Sequence, residues 1–158
     1  MTIVTVTTPE NRLSLEQRRE LAETLTDAVL LPEVGQFAPP ARIGFQVQFQ
    51  ERSRDHMAIG GKLLSDLPAA AADVATIDIC VMDAAWPKEV RKQVTENVLA
   101  AMAKACGMDK ASPAWWTTFR TIDEGSWGSR GSVLSILDLL TSGVFTPERV
   151  AEIRRALG

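Results

Sequence analysis

Apolar and polar positions along this chain follow one scheme twice. The short β-branched run Ile3-Val4-Thr5-Val6 predicts a strand over Thr2 to Val6. Ser14 then stands ahead of Leu15-Glu16-Gln17, a capping-box pattern in which the serine oxygen accepts from an orphan amide and Gln17 reaches back. Leu21, Leu25, Ala28 and Val29 recur at helical spacing, which predicts a helix from Ser14 to Leu31, stopped near Pro32. After a loop containing Pro39-Pro40, Ile43, Phe45, Val47 and Phe49 alternate with Gly44, Gln46, Gln48 and Gln50, the signature of a half-buried strand. Asp55-His56-Met57-Ala58-Ile59-Gly60-Gly61 closes the unit in a glycine turn.

The second pass opens with a strand over Thr76 to Met82. Trp86-Pro87 starts a helix with proline in its first turn; its buried stripe is Val90, Val94, Val98, Ala101, Met102 and Ala105, and it runs from Pro87 to Cys106 with Gly107 as its cap. A strand from Trp115 to Ile122 leads to Gly125-Ser126-Trp127-Gly128-Ser129-Arg130-Gly131. The copies are offset by about 70 positions, longer than solenoid repeats, so the pattern reads as a duplicated β-α-β unit. A helix between two strands implies a right-handed parallel crossover. The expected fold is α/β, an α+β sandwich of tandem β-α-β repeats forming a four-stranded sheet with two helices on one face. Residues 1–158 read as a single domain: repeat one about 1–67, a Pro/Ala-rich linker about 68–74, repeat two about 75–140, and a C-terminal helix about 146–157 opened by Thr146-Pro147-Glu148. The other sheet face, expected to expose Phe45, Val47 or their neighbours, needs cover, and oligomerisation supplies it.

Composition narrows the function. With 158 residues, 46% hydrophobic and 23% charged, the chain has interior enough to fold without staples. A net charge of -3 provides no basic footprint, which argues against nucleic acid. No basic segment followed by an apolar core stands at the start and no run approaches the roughly 18 apolar residues of a membrane span, so the expectation is a cytoplasmic protein without a membrane partner. Cys80 and Cys106 form no motif and read as buried free thiols. His56 is the single histidine, with no cysteine or carboxylate at ligand spacing; it reads as a turn or interface residue, and neither metal nor cofactor is expected.

The strand beginning at the second codon, Glu10-Asn11-Arg12 ahead of the helix, Ser14-Leu15-Glu16-Gln17-Arg18 opening it, and His56-Met57-Ala58-Ile59-Gly60-Gly61-Lys62-Leu63 after the second strand resemble the 4-oxalocrotonate tautomerase family. The doubled length is similar to its fused members, such as cis-3-chloroacrylic acid dehalogenase and malonate semialdehyde decarboxylase. The resemblance implies a homotrimer of fused subunits. It also implies a pocket around an N-terminal proline whose secondary amine moves protons, with arginines binding a carboxylate and an aromatic wall before the glycine turn. The activity implied is that of an isomerase (tautomerase) or related lyase or hydratase, acting on a small keto/enol or α,β-unsaturated carboxylate.

The chain departs from that pattern at its centre, because position 2 is Thr2 and Pro9 lies at the far end of the strand. Removal of Met1 would free the Thr2 amine, which titrates within reach of neutral pH and can act as base or form an imine. By resemblance, Thr2 and Arg12 are the catalytic candidates, and Arg120, Arg130, Trp127, Met57 and Gln46 the substrate-binding ones. Gln46 stands in place of a family arginine, and Met57 in place of the aromatic that Trp127 supplies in the second copy. Each cation also reads as a solvated charge or an ion-pair member, and each aromatic as packing. Trp115-Trp116 reads as buried packing or a trimer contact. Glu51, Asp123 and Glu124 are carboxylates able to activate water, without an assigned role. Two functions stay open: an enzyme of this kind lacking the usual proline, and a non-catalytic relative that binds or builds.

Overall fold

The computed structural model describes residues 1–158. Eight strands and four α-helices succeed one another as β1 (Thr2–Pro9), α1 (Leu15–Val34), β2 (Phe45–Arg52), β3 (Ala58–Ile59), β4 (Lys62–Leu63), β5 (Ala75–Met82), α2 (Lys88–Ala105), β6 (Trp115–Ile122), β7 (Trp127–Ser129), β8 (Ser132–Leu134), α3 (Ile136–Leu140) and α4 (Pro147–Leu157). A four-stranded sheet runs β2-β1-β5-β6, parallel within each repeat and antiparallel where β1 meets β5. Both long helices pack on one face of it. There Val4 and Val6 of β1 and Ile77 and Ile79 of β5 join Leu21, Leu25 and Val29 of α1 and Val94, Val98 and Met102 of α2 in one core.

The register decides which residues face that core. Thr2 pairs with Phe45 and Val4 with Val47, so Phe45, Val47 and Phe49 turn toward the helices, not toward the open face. The expectation that Phe45 and Val47 would be left uncovered is therefore corrected. The open face carries Gln46, Gln48 and Gln50 of β2, Thr5 and Thr7 of β1, Asp78 and Cys80 of β5, and Thr118 and Arg120 of β6. Strand β2 also starts later than the alternation suggested. Ile43 lies in a 3-10 turn over Pro39–Gly44 and is 87% exposed, because that turn is tied back to α1 through the Arg42 fork on Asp27, at 2.9 and 2.7 Å.

The capping box at Ser14 is present in both halves, with Gln17 N to Ser14 Oγ at 3.2 Å and Ser14 N to Gln17 Oε1 at 2.8 Å. Pro32, however, does not stop α1; the helix runs through it to Val34 and ends on Gly35, whose φ of 84° suits the left-handed cap. Proline 32 lacks the N–H that would bond the Ala28 carbonyl, and the Asn97 amide of α2 donates to that oxygen instead, at 3.3 Å. The second helix starts one residue later than expected, with Pro87 outside it as the N-cap. It closes in a Schellman arrangement around Gly107, with Met108 N on Ala103 O at 2.9 Å and Gly107 N on Lys104 O at 3.0 Å.

Each repeat ends in a two-residue hairpin. Gly60 and Gly61 turn β3 into β4, and Arg130 and Gly131 turn β7 into β8, all four at positive φ, as the primed turns of tight hairpins require. Counted from the helix starts, Glu33 of the first repeat and Cys106 of the second hold the same place, and Arg12 corresponds to Ala85. Cys80 and Cys106 are free thiols, but half-buried where full burial was expected. Helix α4 docks on the end of α1 through Thr146 N to Val34 O at 2.9 Å and through the buried Arg149.

Candidate functional site

The carriage of α1 past Pro32 puts Glu33 inside the protein, with only 3% of its surface exposed. Trp86, in the turn between β5 and α2, donates its indole N–H to Glu33 Oε1 at 3.1 Å. Arg149 holds the same place from behind, donating Nε to the Glu33 carbonyl at 3.0 Å and Nη2 to the Ala85 carbonyl at 2.6 Å, and pairing with Glu152. Burial pushes the Glu33 carboxyl above the usual carboxylate range. The chain-terminal ammonium, the Trp86 N–H, Arg149 and the Thr2 hydroxyl pull in the opposite direction, and burial prevails. Thr2 Oγ1 is itself buried and lies close enough to favour an ionised Glu33, yet makes no well-formed hydrogen bond.

Glu33 forms part of the wall of a cavity of about 390 Å³ beside the start of β1. Met1, Phe45, Leu139 and Phe145 supply apolar walls, and Ser129 and Arg130 bring the β7–β8 turn to it. Arg130 takes the left-handed conformation at φ 54°, a position where Gly60 stands in the first copy. Unlike Arg12 and Arg120, it has no carboxylate partner. A buried acid with a raised pKa and an unpaired guanidinium thus share one small apolar cavity, an arrangement suited to moving a proton on a bound anion.

The remaining sequence candidates are dispersed. Thr2 is 1% exposed and its nitrogen is in a peptide bond with Met1. Arg12 sits at the opposite end of β1, forked on Asp73 at 2.6 and 3.2 Å, 3.4 Å from Cys106 Sγ and 5.5 Å over the Trp115 ring. Asp73 raises the guanidinium pKa there, and burial raises that of the Cys106 thiol. Arg120 pairs with Asp78, and Gln46 lies on the same open sheet face with its amide 3.5 Å from that of Gln48. Met57 is half-buried ahead of the first hairpin, while Trp127 is 8% exposed and packed in the core. Strand alternation separates Trp115, buried as packing, from Trp116, which is exposed, so that for Trp116 the reading as a trimer contact stays open. Glu124 accepts from Ile136 N at the start of α3, Glu51 is held by Arg18 at 2.9 Å, and Asp123 lines a surface groove where Asp83 and Arg91 pair at 2.9 Å. Reasoning from sequence missed Glu33 and Arg149. Gly35, three residues past the proline, was the one signal that the helix reaches Glu33.

Several solved structures share this architecture. A member of the cis-3-chloroacrylic acid dehalogenase family superposes with a TM-score of 0.69 at 15% identity, over 97% of this chain and 99% of that one. A native fused 4-OT gives 0.67 at 18% identity, over 83% and 94%. The fold is that of the tautomerase superfamily. A further fused 4-OT, solved as a symmetric trimer, matches the tautomerase fold of this chain at 0.65 and 18% identity, over 85% and 96%. Neither a family model nor a curated protein sequence matches the chain. The tautomerase fold is thus carried here by a sequence of low identity to its structural neighbours. No helix is long and apolar enough to cross a membrane.

Proposed function

We propose that this chain is a proton-transfer enzyme, a tautomerase or related lyase or hydratase acting on a small keto/enol or α,β-unsaturated carboxylate in the cavity beside β1. The observation that carries this reading is the buried Glu33 carboxylate in the wall of that cavity. Arg130 holds the substrate carboxylate through its guanidinium fork. Glu33 takes a proton from the carbon next to the carbonyl and returns it to the tautomeric position. Burial raises its affinity for a proton, the direction in which acid-base catalysis tunes a carboxylate. Trp86 fixes Oε1 and Arg149 fixes the backbone, so the carboxylate is held ready without a change of rotamer.

The test is Glu33→Gln, which keeps shape and one hydrogen bond acceptor but cannot accept a proton. Turnover should fall by on the order of 100-fold or more, with a far smaller change in substrate binding. The Thr2 amine is the second candidate base, supported by the cavity's reaching Met1; it acts only where Met1 has been removed, which intact mass reports. An E33Q enzyme that keeps full turnover with Met1 absent assigns the chemistry to that amine. Absence of turnover in the unmodified protein with any 2-oxo or unsaturated acid, despite binding, leaves the non-catalytic reading. The same proposal includes a homotrimer, supported by the trimeric fused 4-OT among the neighbours; light scattering should return three times the 17.2 kDa chain.

A further inference from the structure

The cavity also bears on what kind of acid enters it. Ten of its sixteen lining residues are apolar. Arg130 is the one cationic side chain among them, at the hairpin turn, and Glu33 is the one anionic side chain. The Met1 ammonium already sits where it favours the Glu33 carboxylate. Arg12 and Arg120, the other arginines a second carboxylate would need, are paired elsewhere, on Asp73 and Asp78.

We infer that the site selects monocarboxylates with an apolar body and discriminates against dicarboxylates, an inference that rests on the cavity's being the substrate site. One carboxylate meets Arg130. A second, carried on the far end of the molecule, would be desolvated against Leu139, Val144 and Phe145 with no cation of this chain to pair it and with the Glu33 carboxyl nearby. A branched alkyl group in the same place removes apolar surface from water instead. The volume, near the lower limit for small-molecule pockets, fits a short-chain substrate.

The experiment uses the full chain in D2O, following loss of the C3 proton signal of 4-methyl-2-oxopentanoate and of 2-oxoglutarate by NMR, with binding of each measured calorimetrically. In each turnover a proton leaves C3 for Glu33, the enolate forms, Glu33 exchanges its proton with solvent, and a deuteron returns to C3. The branched monocarboxylate should be bound and exchanged about 100-fold better than the dicarboxylate. Arg130→Ala should weaken its binding at least about tenfold, the usual order for loss of a charge-assisted bond. Ser142→Arg, which places a second cation on an exposed rim position, should improve 2-oxoglutarate binding by about tenfold. Equal handling of the two acids, or preference for the dicarboxylate, overturns the selectivity while leaving proton transfer intact. Binding of the monocarboxylate without exchange does the reverse. Failure to bind either acid overturns the selectivity too.

Discussion

If Asn97 substitutes for the hydrogen bond that Pro32 cannot make, the two residues must be energetically coupled, and the coupling has a definite sign. In the native chain the Ala28 carbonyl accepts from Asn97 Nδ2 at 3.3 Å in a half-buried setting between α1 and α2. Asn97→Ala removes that donor and leaves the carbonyl without a helical N–H to turn to. The loss should be about 1 kcal/mol, the usual net worth of such a bond. In a Pro32→Ala background residue 32 supplies the ordinary i to i−4 bond, so the same Asn97→Ala change should lose little. The coupling energy is then about 1 kcal/mol, and the packing of the Asn97 carboxamide, lost in both backgrounds, cancels from the cycle. Four proteins, wild type, two singles and the double, would be unfolded in urea with fluorescence of the tryptophans as probe. The effect corresponds to about 2–4 °C in Tm for a chain of this size. Asn97→Ala losing the same stability in both backgrounds, within about 0.3 kcal/mol, would refute the explanation of how α1 passes its proline.

Three changes around the site and one at the far end of β1 extend the tests. Trp86→Phe removes a donor that favours the ionised carboxylate, so the acid limb of the exchange rate against pH should move to higher pH. Because the folded Glu33 pKa is raised, the unfolded chain releases its proton first, at about 4.3, and the native protein loses stability as pH climbs from there through the folded value. Urea midpoints at pH 4.5 and 8 should show that loss in the wild type relative to Glu33→Gln, in which this contribution is absent. Gly35→Ala puts a Cβ 2.8 Å from Arg149 Cγ and Thr146 Oγ1 at φ +84°, and should destabilise the docking of α4 by about 1–3 kcal/mol, read as lowered amide protection in that helix. Arg12→Ala should lower stability by about 1–3 kcal/mol through loss of the Asp73 fork, measured in urea. A raised KM at unchanged stability would instead restore Arg12 to the site residues that the resemblance implies.

The repeat plan could be read from the chain because each of its signals is local. The Ser14 box, the Gly107 cap and the period-two runs act within a few residues, and their physics does not wait for the fold. What escaped was decided at long range. Alternation in β2 gives two faces but not which one is inward; pairing of Thr2 with Phe45 settles that. The proline at position 32 argued for a helix end, and the carbonyl it leaves free is met by a side chain from another helix. Glu33 therefore looked like a loop residue, although its helix and the Trp86 indole make it the most buried acid beside a cavity. Arg149 reaches it across 116 positions of sequence, with no nearby pattern to announce the contact.

Fusing the two repeats frees their matching positions from obeying one instruction. In an assembly of separate identical halves, a glutamate at the end of one long helix would appear at every such end, together with whatever it demands of its neighbours. Here the first helix ends in Glu33 beside a cavity, and the corresponding place in the second holds Cys106 against Arg12, which is itself locked to Asp73 and covers Trp115. One end of the sheet keeps space and an acid under strain of burial, while the other fills its space with an ion pair. The chain thereby confines the destabilising buried acid to one location and leaves the mirror location as ballast.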